Sequence, residues 1–315
     1  MNKKHTEIVP FPIQLMNFIG VFAKAFGFVL LYNGIGIMVL SLLSDNPRQF
    51  DGLTDLQLAD LKNAYISSQF VGAFAGLIIL PVLYILFLNE DLKAIFRLRA
   101  GRPIPMIAFA IIIFIVILPL VNAMNEWNQS IHLPSAFGDL EKSLRDAEES
   151  IGKIINLIIY YDTPGQFLVI FLLVAIIPAL GEELLFRGIV QNELLQIFRK
   201  PYIAILLSAF LFSFVHFQFF GFFPRMLLGA LFGYLYYYSG NILIPVSLHC
   251  LNNGLTLINM NMLKERKTEI DLGSAEGLPV SVIIFSLVLS LVLLYIYRKI
   301  SLRFRKEDER MAENI

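Results

Sequence analysis

Residues 165–190 read GQFLVIFLLVAIIPALGEELLFRGIV, an apolar run that turns ionic near its end at Glu182, Glu183 and Arg187. A helix needs about 20 mostly apolar residues to cross a hydrocarbon core of roughly 30 Å. This stretch is long enough, so its charges fall at membrane depth. Working outward, blocks of the same kind recur at about 22–43, 69–89, 104–122, 202–220, 222–239, 242–259 and 279–297. The expected fold is all-α, a polytopic membrane protein with about eight transmembrane helices. Composition agrees: 57% of residues are hydrophobic and 16% charged, with a mean hydropathy of +0.69. Soluble domains carry about 25% charged residues. A soluble enzyme and a disordered chain are excluded. So is nucleic acid as a partner, because 25 Lys and Arg are matched by 25 Asp and Glu. A single cysteine excludes an intramolecular disulfide and any metal site built from cysteine alone.

Basic residues set the expected orientation. With the N-terminus in the cytoplasm, the inner segments hold Lys3 and Lys4, then Lys93, Arg97, Arg99 and Arg102, then Arg199, Lys200 and the tail from Arg298. The outer segments, with Arg48, Lys62, Arg225, Arg266 and Lys267 among their basic residues, hold fewer over longer, more acidic loops. Both termini are therefore expected inside. Lys24 is read as snorkelling from the first span to the interface. The first 20 residues lack a cleavable-signal pattern, so that span is read as a retained anchor. Short loops and the lack of an organelle signal suggest a bacterial plasma membrane. In the outer loop 44–68, Leu53, Leu56, Leu58 and Leu61 form a short amphipathic pattern. In 138–160, Leu140, Leu144, Ile151, Ile154, Ile155 and Ile158 recur at helical spacing, read as a helix lying on the membrane or as a lid. Asn128-Gln-Ser130 is a glycosylation pattern that has meaning only in a eukaryotic secretory setting.

Charges at mid-membrane cost about 2.5–3.5 kcal/mol each on insertion scales and are functional suspects by default. They concentrate in three motifs: Glu182-Glu183-x-x-x-Arg187, Phe212-x-x-x-His216 and His249-x-x-x-Asn253. Glu183 and Arg187 stand one helical turn apart and can pair, leaving Glu182 to face elsewhere. His249 and Asn253 share a helix face. Counted from the turn at Arg199-Lys200-Pro201, the two glutamates and His216 lie at similar distances along two antiparallel arms, roughly 24–27 Å at 1.5 Å per residue. Pro178 and Gly181 can open the helix where backbone lines a cavity. A carboxylate that deprotonates water, a histidine that orients it and amide or imidazole donors for an oxyanion are what peptide hydrolysis requires.

In this order and on separate spans, the three motifs resemble those of the CAAX-protease and bacteriocin-processing family of intramembrane endopeptidases, which includes the type II CAAX prenyl protease. The resemblance covers about residues 165–258. It implies an endopeptidase with a glutamate-activated water that processes a peptide or protein substrate in the lipid bilayer. Glu182 would be the general base and His216 would bind and orient the water. His249 and Asn253 would form the oxyanion hole, with Glu183 and Arg187 supporting the site. No cofactor is expected; were a metal required, Glu182, His216 and His249 would ligate zinc. The chain then divides into an N-terminal membrane region (1–164), a catalytic core (165–260) and a last span with a basic tail (261–315).

Other readings stand beside this one. Glu182, Glu183 and the histidines would also suit a proton relay in a transporter, although no second copy of the motifs occurs in residues 1–160. A catalytically silent membrane scaffold is a third reading. Phe212 reads as packing. Gly72-x-x-x-Gly76 and Gly229-x-x-x-Gly233 read as close helix approaches, and Tyr234, Tyr236, Tyr237 and Tyr238 as an interfacial belt.

Overall fold

The computed structural model describes residues 11–44, 54–87, 103–264, 273–275 and 277–313. Lys3, Lys4, Arg48, Leu53, Lys93, Arg97, Arg99, Arg102, Arg266 and Lys267, used above for orientation and loop pattern, lie outside these residues. The described residues are helices joined by short turns and loops, with no strand among them. We label its helices α1 (Phe11–Leu43), α2 (55–87), α3 (Pro103–Gln129), α4 (Gly138–Ile159), α5 (Pro164–Phe198), α6 (Pro201–Phe214), α7 (Phe222–Ser239), α8 (Leu243–Lys264) and α9 (Val280–Glu313). Six of them contain spans long and apolar enough to cross a membrane: α1, α2, α3, α5, α7 and α9. The chain is an all-α integral membrane protein. α6 is apolar but short, and α8 carries His249, Asn252, Asn253, Asn259 and Asn261, which lower its hydropathy.

Local sequence chemistry marks the boundaries. Thr54 and Gln57 close a capping box at the start of α2. Thr163 caps α5 through the Gln166 amide, with Pro164 in the first turn. α5 stops at Arg199, which adopts a left-handed conformation at φ 55°, and Pro201 opens α6.

Two cores form. One joins α1, α2, α5 and α6 around Leu77, Leu185, Phe186 and Leu211. The other joins α3, α7, α8 and α9 around Phe114, Phe232, Leu248 and Tyr297. The second draws on residues from all three parts of the sequence-based division. Large apolar side chains left exposed on α1 and α9, such as Leu30, Ile37, Ile284 and Phe285, suit contact with lipid.

Close helix approaches decide how the first core assembles. A Cβ on Gly76 would stand 2.5 Å from the Tyr32 Cα, so α2 lies against the α1 backbone as the glycine spacing anticipates. A Cβ on Gly181 would stand 2.6 Å from the Leu77 Cβ, which brings α5 onto α2 one residue before the glutamate pair. α2 is π-helical at Phe74–Ile79, and α5 is π-helical at Leu172–Ile176 and at Leu184–Val190. The glutamates therefore sit at the end of a short α-helical stretch, Ile177–Glu183, flanked by two wide turns. Such turns are rare and concentrate at functional sites.

The structure corrects several expectations. The span expected over 202–220 ends at Phe214, with His216 in the turn that follows and Phe217 at φ 54°. Lys24 pairs with Glu193 of α5, which with Asn192 is half-buried. Asn192 donates to the Tyr236 hydroxyl. Tyr236 and Tyr238 are buried, because α7 packs against α5 and α9, so the four tyrosines do not form an interfacial belt. Asn128 is fully buried: its Nδ2 donates to the Phe219 carbonyl and its Oδ1 accepts from the Phe223 amide, both at 3.0 Å. A side chain so placed is not a glycosylation acceptor.

Candidate active site

Each motif is delivered by a different element. α5 supplies Glu182, Glu183 and Arg187, the turn after α6 supplies His216, and α8 supplies His249 and Asn253. Neighbouring residues on a helix point about 100° apart, so the two glutamates face different partners. Glu183 is fully buried. Its Oε2 lies 2.9 Å from Arg187 Nε and its Oε1 lies 2.9 Å from His249 Nδ1. Arg187, equally buried, donates through Nη2 to the Gly229 carbonyl of α7 at 3.2 Å. One turn on, Gln191 Nε2 donates to the Gly233 carbonyl at 3.0 Å. The two α7 glycines thus leave room for a polar ladder from α5. Breaking such a buried pair on one side leaves an uncompensated charge.

Glu182 keeps 18% of its side chain exposed. Its Oε2 lies 3.8 Å from His216 Nε2 and 3.8 Å from His249 Nε2. These separations exceed a direct hydrogen bond and match a gap that one water spans. The other nitrogen of each imidazole is already engaged. His216 Nδ1 meets the Phe212 carbonyl at 2.6 Å, and a carbonyl only accepts, so Nδ1 carries the hydrogen and Nε2 is left toward Glu182. His249 Nδ1 is held by Glu183 in the same sense. A hydrogen bond to one imidazole nitrogen in this way sets what the other can do.

Phe212 is the common wall. Its ring stands edge-on to His216 at 5.1 Å and to His249 at 5.9 Å, and the Arg187 guanidinium lies 5.1 Å from its centroid. Its role as packing is confirmed, and the packing fixes both histidines.

The six sequence-selected residues are brought together unequally. Five form one connected cluster through Glu182 and Glu183. Asn253 is tied to the helix backbone instead: its Nδ2 donates to the Val174 carbonyl at 3.2 Å, and its Oδ1 accepts from Asn252 at 3.2 Å. Pro178 has no N–H to offer the carbonyl four residues back, which is that of Val174. Asn253 therefore satisfies an acceptor that the proline orphans. Among the described residues, no three His, Cys, Asp or Glu side chains are grouped to hold a metal ion.

Sequence reading passed over three polar neighbours. Arg225, in the first turn of α7, is electrostatically coupled to Glu182 and His216. Gln218 holds that guanidinium at 2.5 Å. Tyr32 of α1 donates to Gln69 at 2.6 Å and also feels the Glu182 charge. An arginine nine residues after His216, at the mouth of an apolar span, was the available signal for the first.

The chain is thus an all-α integral membrane protein with a polar cluster between two apolar cores. Residues 164–255 match the family described as type II CAAX prenyl endopeptidase, Rce1-like. The match spans under a third of the chain, includes all seven named motif residues and is consistent with the CAAX-protease and bacteriocin-processing resemblance. It points to a protease. No curated protein and no solved structure matches the chain.

Proposed function

We propose that the protein is an intramembrane endopeptidase in which Glu182 activates a water for attack on a peptide carbonyl. The observation that carries this reading is the approach of two imidazole Nε2 atoms to one oxygen of the half-buried Glu182, each at 3.8 Å. Glu182 takes a proton from water, and the His216 Nε2 lone pair accepts the water's other hydrogen and orients it. The resulting hydroxide adds to the carbonyl carbon, and the oxyanion falls to His249, which as the imidazolium held by Glu183 donates from Nε2, with the second amide hydrogen of Asn253 beside it. Glu182 then returns its proton to the departing amine. Glu183 and Arg187 act through His249, holding its Nδ1 as the carboxylate of a hydrolytic triad does. The substrate is a peptide or a membrane-protein segment, and no metal takes part. The N-in, C-in orientation in a bacterial plasma membrane goes with this reading.

The test is cleavage of a quenched-fluorescence peptide library by the purified protein in detergent, beside Glu182→Gln and His216→Ala, with and without a chelator. Cleavage that both substitutions abolish and the chelator leaves intact is the expected result. Chelator sensitivity would restore a metal-bound water. No cleavage by a folded wild type would move the protein toward the transporter or scaffold reading.

A further inference from the structure

The proposed mechanism makes no use of Arg225, although its guanidinium is the second one near Glu182. Arg187 is matched by Glu183 at ion-pair distance. Arg225 forms no ion pair among the described residues. Its Nη2 donates to Gln218 Oε1, while its Nη1 is buried and has no hydrogen-bond partner. A Cβ on Gly221 would stand 3.1 Å from Nη2, so the guanidinium lies against the backbone of the turn that follows His216. Glu182, His216 and Glu148 all interact with its charge. A guanidinium donor withdrawn from water without an acceptor is costly. Gln218 meanwhile holds the fork in one orientation beside the proposed base.

We propose that Arg225 anchors the substrate: its unpaired Nη1 donates to an oxygen of the bound peptide beside Glu182 and His216. The inference rests on the endopeptidase reading. Arg187 and Arg225 already share the charges of three carboxylates, Glu148, Glu182 and Glu183, which favours a neutral main-chain carbonyl as the acceptor. The peptide's terminal carboxylate offers the same oxygen chemistry. Anchoring here would place the chain across Glu182 from the side of the loop 218–221. That loop is clamped from α4, where Glu148 Oε1 accepts the Phe220 amide at 2.8 Å and Arg145 lies 3.9 Å from the Phe220 ring centroid.

The experiment uses a peptide that the wild type cleaves, prepared as the free acid and as the C-terminal amide. KM and kcat are measured for wild type, Arg225→Gln, Arg225→Lys and Gln218→Ala. A hydrogen bond from a charged donor predicts about a ten- to hundredfold rise in KM for Arg225→Gln, with kcat within about threefold. Arg225→Lys keeps the charge and loses the fork, so it falls between. Gln218→Ala, which leaves the arginine in place, raises KM less and covers the case in which Arg225→Gln does not fold. A rise with both peptides assigns the anchored oxygen to a main-chain carbonyl; a rise with the free acid alone assigns it to the terminal carboxylate. Unchanged KM in all three variants overturns the anchor, as does a loss confined to kcat with a displaced pH–rate profile, which would make Arg225 a partner of Glu182 alone. A wild type that cleaves no library peptide overturns the endopeptidase reading and the anchor with it.

Discussion

Two adjacent glutamates on one helix live in opposite surroundings. Glu183 is sealed, with Arg187 on one oxygen and His249 on the other. Glu182 is half-buried, and its nearest imidazole nitrogens stand a water's width away. Adjacent carboxylates thus divide the work because a helix turns about 100° per residue: one side meets α7 and α8, the other the turn after α6. Under the proposed mechanism the sealed side builds the site and the half-open side runs it. Substitutions on the two sides should fail in different ways.

The sharpest break is Glu182→Gln. It keeps the shape and removes the proposed base, and general-base catalysis contributes about 10²–10⁴-fold. Cleavage should fall by roughly that factor with the melting temperature in detergent almost unmoved. A parallel loss of folded protein would erase the contrast. Glu183→Ala should do the reverse, because it strands the Arg187 charge; removing one partner of a buried pair costs about 3–5 kcal/mol, read as a large drop in thermal stability. Replacing both as Glu183→Leu with Arg187→Met should return most of that stability and no activity, since His249 would lose the group that holds its Nδ1. Smaller still is Asn253→Ala. It leaves the Val174 carbonyl without its donor, at about 1–3 kcal/mol, and a loss of kcat beyond that destabilisation would support its oxyanion role.

The mildest expected effect concerns pH at α4. The Glu141 carboxyl is held down to about 2 from 4.5, first by the Leu133 amide and then by Arg145 and His132. A carboxyl whose folded value is depressed contributes stability above its unfolded value and loses it as the pH falls through the folded one. The contribution is therefore whole above about pH 4.5 and fades toward pH 2. The single tryptophan, Trp127, whose ring lies 5.0 Å from Phe223 beside the loop that α4 clamps, reports on it. Its fluorescence should hold from pH 7 to 4.5 and change below, and Glu141→Gln should show the altered signal already at pH 7.

How far the site was legible follows from where each interaction is encoded. The Glu183–Arg187 pair is a one-turn spacing within one helix, so the sequence alone places it. Counting from the Arg199–Pro201 turn set Glu182 and His216 at one depth, and the 3.8 Å between them agrees. The same count treated residues 202–220 as one helix, yet α6 ends at Phe214. The ending matters, because a histidine in a turn can hand its Nδ1 hydrogen to Phe212 and leave Nε2 free. Asn253 shows the limit most plainly. Its motif position suggested the reacting centre, while its amide serves a carbonyl that Pro178, on another helix, leaves unpaired.

The sequence by itself determined that this is an all-α membrane protein, that three polar motifs interrupt its apolar runs, and which carboxylate pairs with the arginine. Each of these depends on residue type and on separations along one or two helices, which hydrophobicity and helical geometry dictate locally. Only the tertiary structure decided that Lys24 meets Glu193, that Tyr236, Tyr238 and Asn128 are buried, and that Arg225 comes within electrostatic reach of Glu182. Those outcomes depend on which helix faces which. The close approaches at Gly76 and Gly181 and the division into two cores set that pairing, and neither is written in the spacing of any one segment.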